Sequence, residues 1–177
     1  MIIKEKDLTK ELIGRLKSEI FIYPTDTIYG IGCDASKVAL VERIREIKNR
    51  DSKFMSVIAP SLKWIFENFE VEGELIEKYL PGPYTLLLKK KNFDFLEGVS
   101  GNEYVGIRIP DCSFTKVLQE LNIPIVTTSV NLSGEKPANK IDEIDERILG
   151  EINIIIDFGK LSGKASTLIK DGEILNR

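Results

Sequence analysis

Lys48, Arg50 and Lys53 stand close together in Lys48-Asn49-Arg50-Asp51-Ser52-Lys53, where a helical apolar pattern gives out. Arginine offers a planar fork and lysine a mobile point charge, a combination suited to the roughly four negative charges of a triphosphate. The same cations would also complement a helix C-terminal dipole. A second cluster, Tyr23-Pro24-Thr25-Asp26-Thr27-Ile28-Tyr29-Gly30-Ile31-Gly32, puts short polar side chains after an apolar run, with glycines that let backbone approach a ligand. It equally suits a turn in which Thr25, Asp26 and Thr27 satisfy their own backbone. In a third, Ile125 and Val126 run into Thr127-Thr128-Ser129-Val130-Asn131-Leu132-Ser133-Gly134. Hydroxyls and an amide at a strand end are where ligands bind in α/β folds, although Ser133-Gly134 followed by Pro137 also reads as a turn.

The chain of 177 residues contains no histidine, which removes the usual general base, the His-paired triads and the commonest metal ligand. What remains is a reaction run by positioning and charge stabilisation on a substrate that carries its own nucleophile. Cys33 and Cys112 form no CxxC pair, so neither a disulfide framework nor a zinc site is expected. A net charge of −3 gives no general attraction to nucleic acid or anionic lipid; a phosphate site has to be local. No apolar run nears the roughly 18 residues of a membrane helix, and MIIKEKDLTK has no signal-peptide core, so a cytoplasmic protein is expected.

The elements that position these clusters follow from periodicity. Leu8, Leu12, Ile13 and Leu16 predict a helix over about 8–18, and Ile20 to Tyr23 a buried strand. Ser36 is the expected cap of a second helix carrying Val38, Val41, Ile44 and Ile47 on one face. Helices are predicted over roughly 61–69, 74–80, 114–121 and 141–149. Strands are predicted at Met55–Ala59, Thr85–Leu88, Tyr104–Ile109, Ile125–Thr128, Ile152–Asp157 and Thr167–Ile169. This alternation predicts an α/β layered fold with a mixed sheet, in a single domain over 1–177.

Three further stretches, Leu80-Pro81-Gly82-Pro83-Tyr84-Thr85-Leu86, Val105-Gly106-Ile107-Arg108-Ile109-Pro110-Asp111 and Ser166-Thr167-Leu168-Ile169, join the clusters above in one order along the chain. Together they resemble the YrdC/Sua5 family of threonylcarbamoyl-AMP synthases, in its short single-domain form. The resemblance implies a strongly twisted mixed β-sheet flanked by helices, with a concave ligand cavity. It implies a nucleotidyltransferase that makes threonylcarbamoyl-AMP and pyrophosphate from L-threonine, bicarbonate or CO2, and ATP with Mg2+. The product is then passed to a tRNA threonylcarbamoyl transferase.

Carried over residue by residue, Lys48 and Arg50 match the family's catalytic K-x-R pair. ATP is expected at Lys48, Arg50, Lys53, Ser129, Asn131, Ser133, Ser166, Thr167 and Arg177, and threonine at Thr27, Arg108 and Thr127. For Arg108 the physical case is direct, since a guanidinium forks a carboxylate that is a spectator to the reaction. Mg2+ would ride on phosphate oxygens and water, with no dedicated protein metal site. Two alternatives share the resemblance: a relative that adenylates another carbamoylated acceptor, and a module that binds structured RNA. Weak RNA binding is all that the negative charge allows.

Overall fold

The computed structural model describes residues 1–49, 54–161 and 163–175. Along the chain run β1 (Ile2–Lys4), α1 (Lys10–Arg15), β2 (Phe21–Tyr23), β3 (Gly30–Gly32), α2 (Val38–Ile47), β4 (Ser56–Ile58), α3 (Leu62–Asn68), β5 (Phe69–Glu70) and α4 (Gly73–Tyr79). They continue with β6 (Tyr84–Lys90), β7 (Tyr104–Arg108), α5 (Ser113–Leu121), β8 (Ile125–Ser129), α6 (Glu146–Leu149), β9 (Ile154–Asp157), β10 (Thr167–Lys170) and β11 (Glu173–Leu175).

The eleven strands form one mixed, twisted sheet in the order β1-β9-β2-β3-β8-β4-β7-β6-β10-β11, with β5 paired to β6. Pairing is parallel for β1–β9, β2–β9, β4–β7 and β6–β10, and antiparallel for the others. Alternation along the strands feeds two cores. Ile22, Val57, Leu86, Val105, Ile107, Val126 and Ile155 point to one face, under Val41 and Ile44 of α2, Ile65 of α3, Ile76 of α4 and Ile148 of α6. Phe21, Tyr23, Ile58, Ile125, Ile154 and Ile156 point to the other, where α1 and α5 supply Leu12, Leu16, Phe114, Leu118 and Leu121. Central strands covered on both faces read as continuous apolar runs, which is why Phe21-Ile22-Tyr23 is wholly buried.

Three local outcomes depart from the sequence expectation. Ser36 does not cap α2: the N-cap is Lys37, and the Ser36 N–H and hydroxyl both donate to Asp34 Oδ1, at 2.9 and 2.7 Å. An Asx turn just upstream thus replaces the cap. The helix expected at 141–149 divides into a 3₁₀ turn, Ile141–Glu143, and α6, because Asp145 stops the first and caps the second by accepting from Arg147 N–H. Gly30-Ile31-Gly32, read as a ligand-facing turn, is strand β3. A Cβ on Gly32 would lie 2.1 Å from the Val126 carbonyl oxygen, so this glycine serves strand packing rather than a ligand.

Candidate active site

The polar residues of the central strands open into a cavity of about 350 Å³. Its wall takes one or more residues from each of six neighbouring strands: Gly30 of β3, Thr127 and Ser129 of β8, Ser56 of β4, Arg108 of β7, Thr85 of β6 and Leu168 of β10. Gly106 of β7 keeps its floor open. A Cβ there would come 2.6 Å from Ser56 Oγ, its register partner on β4, and 3.0 Å from a Thr85 carbon, so glycine leaves room for both hydroxyl residues.

One rim is the turn after β2. Thr25 Oγ1 accepts from the Thr27 and Ile28 N–H groups at 3.1 and 3.3 Å, donates to the Ile28 carbonyl at 2.8 Å, and lies 2.8 Å from Thr27 Oγ1. This hydroxyl-pinned turn fixes Asp26 between two threonines that both face the cavity. The chain leading into β10 lies directly on it: a Cβ on Gly163 would be 2.4 Å from the Thr27 carbonyl oxygen. That approach delivers Ala165 and Ser166 to the wall, and Ser166 Oγ meets Thr85 Oγ1 at 2.8 Å.

Arg108 ends β7 at 5% exposure and reaches this turn. Its Nη2 donates to Asp26 Oδ1 at 2.5 Å and its Nη1 to Thr27 Oγ1 at 3.5 Å, while Nε has no hydrogen-bond partner. A guanidinium carries five N–H donors, so one already held by a carboxylate keeps others for a ligand in the cavity.

Lys48 is placed differently. At 2% exposure it follows α2, and its Nζ donates to the Ser129 and Asn131 carbonyls while the Ser133 N–H donates back to its own carbonyl at 3.0 Å. The helix exit is thereby sewn to the loop after β8. Lys48 lies outside the cavity wall, as do Asn131, whose Nδ2 donates to the Leu132 and Glu135 carbonyls, the exposed Ser133, and the half-buried Thr167. Thr27, Arg108, Thr127, Ser129 and Ser166 do come together in the wall. Arg50, Lys53 and Arg177 lie outside the described residues.

Among the wall's other hydroxyl residues, Ser56 and Thr85 carried no site assignment from the sequence. Each left a signal, a lone hydroxyl residue in an otherwise apolar stretch. Burial pushes the Tyr29 hydroxyl up to about 12, and it accepts from Phe158 N–H while reaching the Gly159 carbonyl at 2.7 Å. Burial likewise pushes the Cys33 thiol up to about 12, which removes its thiolate. Among the described residues no group of three or more His, Cys, Asp or Glu side chains is placed to hold a metal, and no helix is long and apolar enough to cross a membrane.

The twisted mixed sheet flanked by helices is an architecture shared with solved structures. Escherichia coli YciO superimposes with a TM-score of 0.79 at 25% identity, over 98% of this chain and 90% of that one. Pyrococcus abyssi Sua5, solved with L-threonine, superimposes with a TM-score of 0.82 at 28% identity over 98% of this chain. The present chain spans 54% of that longer protein. A putative threonylcarbamoyl-AMP synthase of Methanocaldococcus jannaschii is 37% identical over 170 residues, 92% of this chain and 78% of the relative. The family model Sua5_yciO_yrdC, described as telomere recombination, matches residues 16–176, and the chain belongs to that family.

Proposed function

We propose that the protein joins L-threonine, bicarbonate or CO2, and ATP into threonylcarbamoyl-AMP, with release of pyrophosphate. The observation that carries this is Arg108, a buried guanidinium in the cavity wall beside Thr27 with its Nε unpartnered. The relatives named threonylcarbamoyl-AMP synthase support the same reading.

Threonine's free amine adds to CO2 to form a carbamate; a carbamate oxygen then attacks the α-phosphorus of ATP, and the bond to the β-phosphate oxygen breaks to release pyrophosphate. No protein nucleophile takes part, which suits a chain without histidine and with a buried, protonated Cys33. Arg108 holds the α-carboxylate, and the Thr27 and Thr127 hydroxyls orient the rest of the amino acid. Ser129 and Ser166 face the nucleotide. Arg50 and Lys53 serve the triphosphate, and Asn131, Ser133, Thr167 and Arg177 are the further residues assigned to ATP. Lys48 works at one remove, since its ammonium is spent on the carbonyls that set the path of the Ser129–Asn131 loop.

Hydroxyl residues line the wall, and no carboxylate does so among the described residues, which suits an Mg2+ carried by the nucleotide's own phosphates. An Mg2+ held in that way would supply charge neutralisation at the triphosphate. The product is a reactive mixed anhydride and goes to a transferase that modifies adenosine in tRNA, in the cytoplasm. Pyrophosphate release, measured with ATP, Mg2+, bicarbonate and each amino acid in turn, tests the assignment. Release should require threonine and bicarbonate together, with serine slower by no more than roughly 10- to 200-fold, since one buried methyl separates them. Equal release with glycine, or with no amino acid, rejects it.

A further inference from the structure

We propose that Asp26 is a positioning residue, which holds the Arg108 guanidinium in the one orientation that receives the substrate's carboxylate. The inference rests on the carboxylate-binding reading of the cavity and deepens it. Asp26 itself does not line the cavity; it stands behind Arg108, with the two side chains 8% and 6% exposed.

Both carboxylate oxygens are used. Oδ1 accepts from Arg108 Nη2 at 2.5 Å, and Oδ2 accepts from the Asp111 backbone N–H at 3.0 Å. Asp26 is thus braced from two sides, by the Thr25-pinned turn that carries it and by the backbone that follows β7. An arginine has a long stem with much rotamer freedom, and ordering it while a ligand binds would weaken that binding; holding it beforehand removes the loss. Asparagine cannot replace this brace. An amide has one acceptor oxygen, so either Arg108 or the Asp111 N–H would face an NH2 donor. Buried charge also matters: the carboxylate stands against the guanidinium at low solvent exposure, so neither charge is buried alone.

The test compares wild type, Asp26→Asn and Asp26→Glu for the KM of threonine, the KM of ATP, kcat and the thermal midpoint. Asp26→Asn should raise the threonine KM roughly 10- to 100-fold with kcat and the ATP KM within about twofold, and Asp26→Glu should recover part of it. Threonine and ATP constants that stay unchanged, or that move together with the folded fraction, overturn the proposal and leave Asp26 a purely structural residue. Should Asp26→Asn not fold, guanidinium NMR of the wild type decides: Arg108 must show separate, slowly exchanging Nη signals before threonine is added, and averaged signals overturn the proposal. A wild type with no threonine dependence rejects the function assigned above, while the same spectrum still reports on the brace.

Discussion

Lys48 and Arg108 are the two buried cations that flank the polar part of the sheet, and they are buried for different ends. Lys48 leaves α2 and spends its ammonium on the Ser129 and Asn131 carbonyls, so its charge organises a loop. Arg108 leaves β7, is braced by one carboxylate, and still presents donors to the cavity. An ammonium turns its three donors to whichever acceptors surround it, whereas a forked guanidinium can be held on one side and keep donors for the other. Burial alone therefore does not tell what a cation does; the distribution of its donors is the better guide.

The sharpest way to break this contrast is Arg108→Lys. The charge that faces Asp26 is kept but the fork is lost, so the threonine KM should rise roughly 10- to 100-fold with a smaller change in the ATP KM. Equal changes in both constants would make Arg108 a structural ion pair like any other. Lys48→Met should behave in the opposite way. With the Ser129 and Asn131 carbonyls deprived of their ammonium, denaturant unfolding should reveal a loss of about 2–4 kcal/mol, and the ATP KM should rise more than the threonine KM. Unchanged stability with a selective fall in kcat/KM for ATP would put Lys48 on the phosphates directly.

The smallest effect concerns Asp157, at the far edge of the site. Burial raises its carboxyl, but hydrogen bonds from Lys4, the Gly159 N–H and the Tyr29 hydroxyl outweigh that and hold it below the usual carboxylate range. A depressed folded value gives stability that is present above the unfolded value of about 4 and is lost as pH falls through the folded one. Asp157→Asn should therefore lower the thermal midpoint at about pH 7, and the gap to wild type should close below about pH 3. A gap that persists in acid would mean that packing, not charge, is what the variant removes.

Regions of regular periodicity were legible in the sequence. Val41 and Ile44 of α2, the alternation in β7, and the apolar run of β2 all ended up where their pattern put them. What escaped were contacts that periodicity does not encode. Gly30-Ile31-Gly32 looked like a turn because strand propensity is low for glycine, yet the close approach of Val126 and Tyr23 requires it. The hydroxyl-rich strand ends and Arg108, which the structure brings together in one wall, were picked out in the sequence, but the contact of Arg108 with Asp26 was not. Asp26 lies 82 residues away and appears in sequence only as one more turn residue. Nothing local reveals either that the Lys48 side chain, at a helix exit, turns inward to carbonyls on a distant loop.

Calorimetric titration of the wild type with L-threonine and with L-threoninamide tests the central claim most directly. The two ligands share amine, hydroxyl and methyl groups and differ in the charged carboxylate. A carboxylate held by the Arg108 fork predicts that threonine binds at least about 10-fold more tightly than the amide, and that Arg108→Lys abolishes most of the difference. Equal affinities of the wild type for the two ligands would contradict it.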